Sequence, residues 1–213
     1  MSAGSFQLQT EGVINGKPHG GHTKTLESNT EASRPLKGKT IVLDPGHGGK
    51  DVGSIGGNGT YEKDVTLPTA LKVRDKLLEQ GATVVMTRDA DTTVSLDART
   101  EISQEENADL FISIHFDAFQ TSDVYGMTTY YYKPQNQEIA QKIHEQFLEA
   151  DLLTKDRGVR FGDYHVIREN TKPAVLLELG YISNKDEEIR MQSQSFQDEI
   201  STAIASGVVN CLR

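Results

Sequence analysis

The sequence has a single cysteine among its 213 residues, Cys211, close to the C-terminus. A lone cysteine can form neither an intrachain disulfide nor a cysteine-type zinc site. Its helical surroundings predict a buried, inert thiol rather than a nucleophile. No run of about 18 apolar residues occurs, so no membrane-spanning helix is expected. Positive charge is also scarce. Lys and Arg number 22 against 31 Asp and Glu, leaving a net charge of -9. Without a basic stripe, binding of nucleic acid through its phosphates is disfavoured. An anionic polymer would be repelled too, so affinity for one must come from specific contacts or another module. The N-terminus lacks the basic-then-apolar pattern of a signal peptide. The sequence therefore reads as a cytosolic chain or as a mature or excised piece of an exported one.

What is present is the composition of a soluble globular protein, 36% hydrophobic and 25% charged. The length suits one good core. Residues 1–36 are rich in Gly, Ser, Thr, Asn, Glu and Gln and read as a flexible arm or linker. Asn15-Gly16 allows a small hairpin there, and His19 and His22 offer at most weak metal affinity. Residues 37–213 read as the folded domain.

Short apolar runs at 39–44, 110–115 and 174–179 predict buried strands; 82–87 reads as a second strand in chain order and 125–132 as a fourth, antiparallel or at an edge. Residues 164–168 read as a further short strand. Helical spacing covers 62–80, where Pro68 suggests a regular start near 64 or 66. It also covers 95–107, with Leu96, Ala98 and Ile102 inward, and 138–152. After a cap at Ser183-Asn184 the chain is helical to its end, with a restart at Ser195. Strands alternating with helices predict a three-layer α/β/α fold around a mostly parallel sheet of about six strands.

Three of the apolar runs end in, or just before, a ligand-type residue: His47, His115 and Glu178. Ligands in such sheets sit beyond the carboxyl ends of the strands. Zinc favours His nitrogens and carboxylate oxygens, and a catalytic site takes three protein ligands. His47 and His115 are the imidazole candidates. The third ligand is open among Glu62, Asp44, Asp117 and Glu178. Asp44 reads more readily as orienting a ligand or capping the turn, and Asp117 as partnering a ligating imidazole. Glu178 ends the most apolar strand, where a carboxylate is costly unless used. The glycine-rich loop after the first strand matches neither dinucleotide nor P-loop spacing, and the nucleophile-elbow pattern is absent.

The stretches Ile41-Val42-Leu43-Asp44-Pro45-Gly46-His47-Gly48-Gly49, Glu62-Lys63-Asp64, Ser113-Ile114-His115 and Pro173 to Asn184 resemble the zinc-dependent N-acetylmuramoyl-L-alanine amidases of the amidase 3 family. Arg99 and Arg157-Gly158-Val159 fit secondary motifs of that family. The resemblance implies one zinc held by His47, Glu62 and His115, with Glu178 as general base to a zinc-activated water. Asp44, Asp117, Arg99 and His165 are expected around the site or against substrate. The implied substrate is peptidoglycan, cut between N-acetylmuramic acid and L-alanine. Relatives often carry Asn in place of Asp117 and an aromatic in place of His165. About ten residues separate His115 from the next strand, too few for the occluding helix of some relatives, so an open cleft is expected. A monomer is expected, acting outside a bacterium or at its wall, or as a phage lysin made in the cytoplasm, with any wall-binding module or activator outside this sequence. The competing readings are a zinc peptidase acting within stem peptides and an inactive wall-binding module.

Overall fold

The computed structural model describes residues 34–150, 152 and 154–213. The arm expected over most of 1–36, with its hairpin and its two histidines, lies outside the described residues. At the far end of that stretch Leu36 is fully buried, and its N–H donates to the Gln80 carbonyl at 3.1 Å.

The chain runs through β1 (Thr40–Pro45), α1 (Lys63–Glu79), β2 (Thr83–Met86), α2 (Leu96–Glu105), β3 (Leu110–Asp117) and β4 (Met127–Tyr131). It continues through α3 (Gln137–Glu149), β5 (Asp156–Phe161), α4 (His165–Arg168), β6 (Ala174–Tyr181), α5 (Lys185–Met191) and α6 (Gln194–Leu212). Among the described residues six strands form one sheet in the order β2-β1-β3-β6-β4-β5. The β1–β2, β1–β3, β3–β6 and β4–β5 pairs are parallel, and only β4–β6 is antiparallel.

Strand alternation sorts the core into two faces. Ile41, Leu43, Ile112, Ile114, Val175 and Leu177 point to one face, under Val65, Val73 and Leu77 of α1, Ile143 and Phe147 of α3, and Phe196, Ile200 and Ile204 of α6. Val42, Phe111, Ala174 and Leu176 point to the other, where the described residues that cover them include Ala108, Ile102 of α2, Val166 and Ile167 of α4, and tyrosines. This is the three-layer arrangement expected, with one face much less covered. Following the register, the row after Val42 and Phe111 on the thin face is Asp44 beside Ser113 beside Leu176; the next pairs His115 with Glu178. The apolar strands thus turn polar at their carboxyl ends, on the face where cover runs out.

Several local expectations are corrected. Residues 164–168 are not a strand: His165–Arg168 is one helical turn, with Val166 and Ile167 buried side by side, as a helix allows and a half-exposed strand does not. The missing strand is β5, Asp-Arg-Gly-Val-Arg-Phe. It is a sheet edge with no residue fully buried, so it carries little apolar alternation to read. β4 lies inside the sheet, antiparallel to β6, one of the two arrangements expected, and parallel to β5. Helix α1 starts at Lys63 and accommodates Pro68 in its second turn. On α2 the buried residues are Arg99, Thr100 and Ser103, whereas Leu96 is 53% exposed. Helix α6 starts after Ser193, whose hydroxyl accepts from the Phe196 N–H, and not at Ser195.

Candidate metal centre

β1 ends in Pro45-Gly46, and the chain then turns sharply at His47, a non-glycine residue with φ of 61°. Gly46 has no side chain for a steric reason. A Cβ there would lie 2.3 Å from His115 Cε1, so the backbone beside His47 lies directly against the second imidazole. The two rings meet edge to face, with centroids 4.9 Å apart. The loop that follows returns at Glu62, the residue just before α1. A Cβ on Gly53 (φ 69°) would be 2.7 Å from both His47 Cδ2 and the Glu62 side chain. Glycine is thus what lets this loop close the site.

Glu62 is buried between the imidazoles. Its Oε2 lies 3.0 Å from His47 Nε2, and its Oε1 lies 2.9 Å from His115 Nδ1. The Ser54 and Phe116 backbone N–H groups donate to the same carboxylate at 2.9 and 3.1 Å. Burial alone would push this carboxyl up, but the bonds and charges of His115 and His47 hold it well below the usual range. His47 is moved the other way. Burial works against its charge, yet Glu62 and Asp51 together raise its pKa.

The ligand-type atoms of His47, Glu62 and His115 lie within 4.8 Å of one another, the one such cluster among the described residues. Two imidazoles and a carboxylate are a zinc donor set. A cation placed among them would replace the histidine–glutamate bonds without needing another residue to move in. On chemistry and spacing the residues fit that metal.

Glu178 comes to the same cleft from β6, directly across from His115. It is 6% exposed, and its Oε2 is buried without a hydrogen-bond partner among the described residues. Burial first, then the negative charges of Glu62 and Asp117, raise its pKa well above the ordinary value. The cleft holds about 520 Å³, and its walls include Leu96, Arg99, Asp117, Tyr164 and His165. Residues 118–126, between β3 and β4, contain no helix.

A sequence model of the family described as N-acetylmuramoyl-L-alanine amidase (Amidase_3) matches residues 41–210. The chain belongs to this family. The probable cell wall amidase LytH of Staphylococcus aureus is 42% identical over 194 residues, covering 89% of this chain and 64% of that protein. The chain therefore spans a little under two thirds of the length of that relative. The catalytic domain of CwlV, an N-acetylmuramoyl-L-alanine amidase from Bacillus (Paenibacillus) polymyxa var. colistinus, superposes with a TM-score of 0.79 at 40% identity. That match covers 82% of this chain and 98% of CwlV. The amidase AmiC2 of Nostoc punctiforme gives 0.79 at 37% identity, over 82% and 97%.

Within this amidase 3 domain the other expected residues sit as follows. Asp44 is fully buried. It accepts from Thr87 Oγ1 at 2.6 Å, Ser113 Oγ at 2.7 Å and Arg99 Nη1. Arg99 donates in turn to the Pro45 carbonyl at 2.8 Å and the His47 carbonyl at 2.7 Å, so Asp44 acts on His47 through Arg99. Asp117 lines the cleft, and its carboxylate helps push the Tyr181 phenol, already raised by burial, up to about 12. His165 stands on the rim with Nε2 2.8 Å from Asp97 Oδ1. Cys211 is half-buried and burial pushes its thiol up to about 11, as expected of an inert group.

Sequence reasoning missed two residues at the cleft. Asp51 stands 2.9 Å from His47 Nδ1, the partner a ligating imidazole needs, and its position four residues on was the available signal. Tyr164, packed edge to face on Tyr130, brings a phenol into the cleft whose pKa is raised by burial and by Tyr130 and Glu178. No spacing rule points to it.

Proposed function

We propose that this chain is a peptidoglycan hydrolase that cleaves the amide between N-acetylmuramic acid and L-alanine of the stem peptide. His47, Glu62 and His115 hold one zinc, and Glu178 is the base. The observation that carries this is a buried carboxyl, Glu178, with one oxygen unpartnered, facing a histidine–glutamate–histidine cluster across adjacent strands. Zinc bound there supplies Lewis-acid polarisation and water with a pKa near about 7.

The chain's own residues do the rest. Glu178 faces two other carboxylates in a desolvated place, so it binds a proton more tightly than an ordinary glutamate, as a base for water must. It takes a proton from the attacking water and returns it to the alanine nitrogen as the carbon–nitrogen bond breaks. Asp51 holds His47 Nδ1 and so leaves Nε2 facing Glu62. The open, thinly covered face gives a polymer strand access without a lid. The enzyme works as a monomer at the wall outside a bacterium.

Purified sacculi digested with and without chelator, followed by mass spectrometry of the products, test this. Peptides beginning with free L-alanine, released from intact glycan only without chelator, are expected. Cuts inside the stem peptide would mean a peptidase, and binding without cleavage a wall-binding module. Glu178→Gln should keep zinc and lose about 10²- to 10⁴-fold in rate. Near-normal turnover would remove Glu178 from its role.

A further inference from the structure

We propose that Arg88 is a positioning residue of the metal centre. It ties the turn carrying His47 to the helix that follows Glu62, and so sets the spacing of two ligands. The proposal rests on the zinc reading above.

Arg88 follows β2 and is 4% exposed. Its Nε donates to the Pro45 carbonyl at 3.0 Å, and its Nη2 to the Gly46 carbonyl at 2.8 Å. The same Nη2 reaches Thr66 Oγ1 on α1 at 3.0 Å, and Nη1 takes the Ala90 carbonyl at 3.2 Å. Thr66 Oγ1 itself donates to the Gly46 carbonyl at 2.9 Å. One planar guanidinium therefore spans from the end of β1 to the first turn of α1, four residues past Glu62.

Two physical points turn this contact into a role. First, His47 holds a left-handed backbone, which costs a non-glycine residue free energy and persists only where the surroundings over-determine it. The carbonyls of Pro45, Gly46 and His47 are all held by the side chains of Arg88, Arg99 and Thr66, so side chains impose the turn. Second, none of the acceptors named for Arg88 is a carboxylate. A buried cation close to a cation-binding site cannot strengthen that site through its charge; what it adds is geometry. A lysine offers no fork that could reach both elements at once.

The test compares Arg88→Lys and Arg88→Met with Arg190→Lys, a half-buried arginine that serves the Glu187 network instead. His47→Ala is measured in parallel. Zinc affinity is read by competition with a chelating dye at 10 °C, and thermal unfolding of the metal-free proteins by circular dichroism. Both Arg88 variants are expected to bind zinc about tenfold to a hundredfold more weakly. Arg190→Lys should lower the melting temperature and leave zinc affinity unchanged. Should Arg88→Met not fold, Arg88→Lys decides. A folded Arg88 variant that binds zinc within twofold of the parent overturns the positioning role. If His47→Ala also binds zinc normally, it is the zinc reading that fails, and the two failures are thus distinguishable.

Discussion

At the scale of single residues, the site is a set of charges placed where none would choose to be. Glu178 is the clearest case. Its folded pKa lies above the ordinary glutamate value of 4.5 because of burial and the neighbouring carboxylates Glu62 and Asp117. Above about pH 4.5 the unfolded chain releases this proton while the folded chain keeps it, so rising pH favours unfolding until the folded pKa is passed. Glu178→Gln removes that term. With chelator present, the melting temperatures of wild type and variant should be close at pH 4, and the variant should pull ahead toward pH 8. Parallel curves would show that Glu178 carries no such penalty. The residue that costs stability is the one proposed to do the chemistry, as expected where function sets the environment.

At the scale of elements, packing overrides propensity in both directions. Gly207 sits inside α6, where alanine would be better by about 1 kcal/mol on helix propensity alone. Yet a Cβ there would stand 2.7 Å from Ile143 Cα on α3, and a backbone atom cannot swing aside. Overpacking of this kind costs about 1–3 kcal/mol. Gly207→Ala should therefore lower the urea midpoint, and a raised midpoint would show that the two helices can separate. β5 makes the reverse point. Its sequence shows little strand pattern, and tertiary bonds hold it. His144 of α3 bridges Thr129 Oγ1 on β4 and Asp156 Oδ1 on β5, each at 2.9 Å. Such an element is legible only once its neighbours are in place.

At the scale of the whole molecule, the net charge of -9 opposes approach to an anionic wall polymer. Raising ionic strength from about 10 to about 150 mM shortens the screening length from about 30 Å to about 8 Å. Initial rates on purified sacculi should rise over that range. A fall would mean that a local positive surface, rather than the net charge, governs the encounter.

By itself the sequence determined the buried strands β1, β3 and β6, through short and nearly pure apolar runs, and most of the helices through their periodicity. It also placed His47, His115 and Glu178 at strand ends, because burial and alternation are local properties written residue by residue. The third member of the cluster was different. From spacing alone the choice stayed open among Asp44, Glu62, Asp117 and Glu178, and only a family resemblance preferred Glu62. In the folded chain Glu62 lies beside both imidazoles because Gly46 and Gly53 leave room for backbone to touch side chain. Asp44 was drawn instead into a buried pair with Arg99. Arg88 gained its place by the closing of β2 onto β1. Loop closure and the approach of residues distant in sequence depend on where the whole backbone goes. No local pattern encodes that, and so the tertiary structure alone decided which carboxylate meets the histidines.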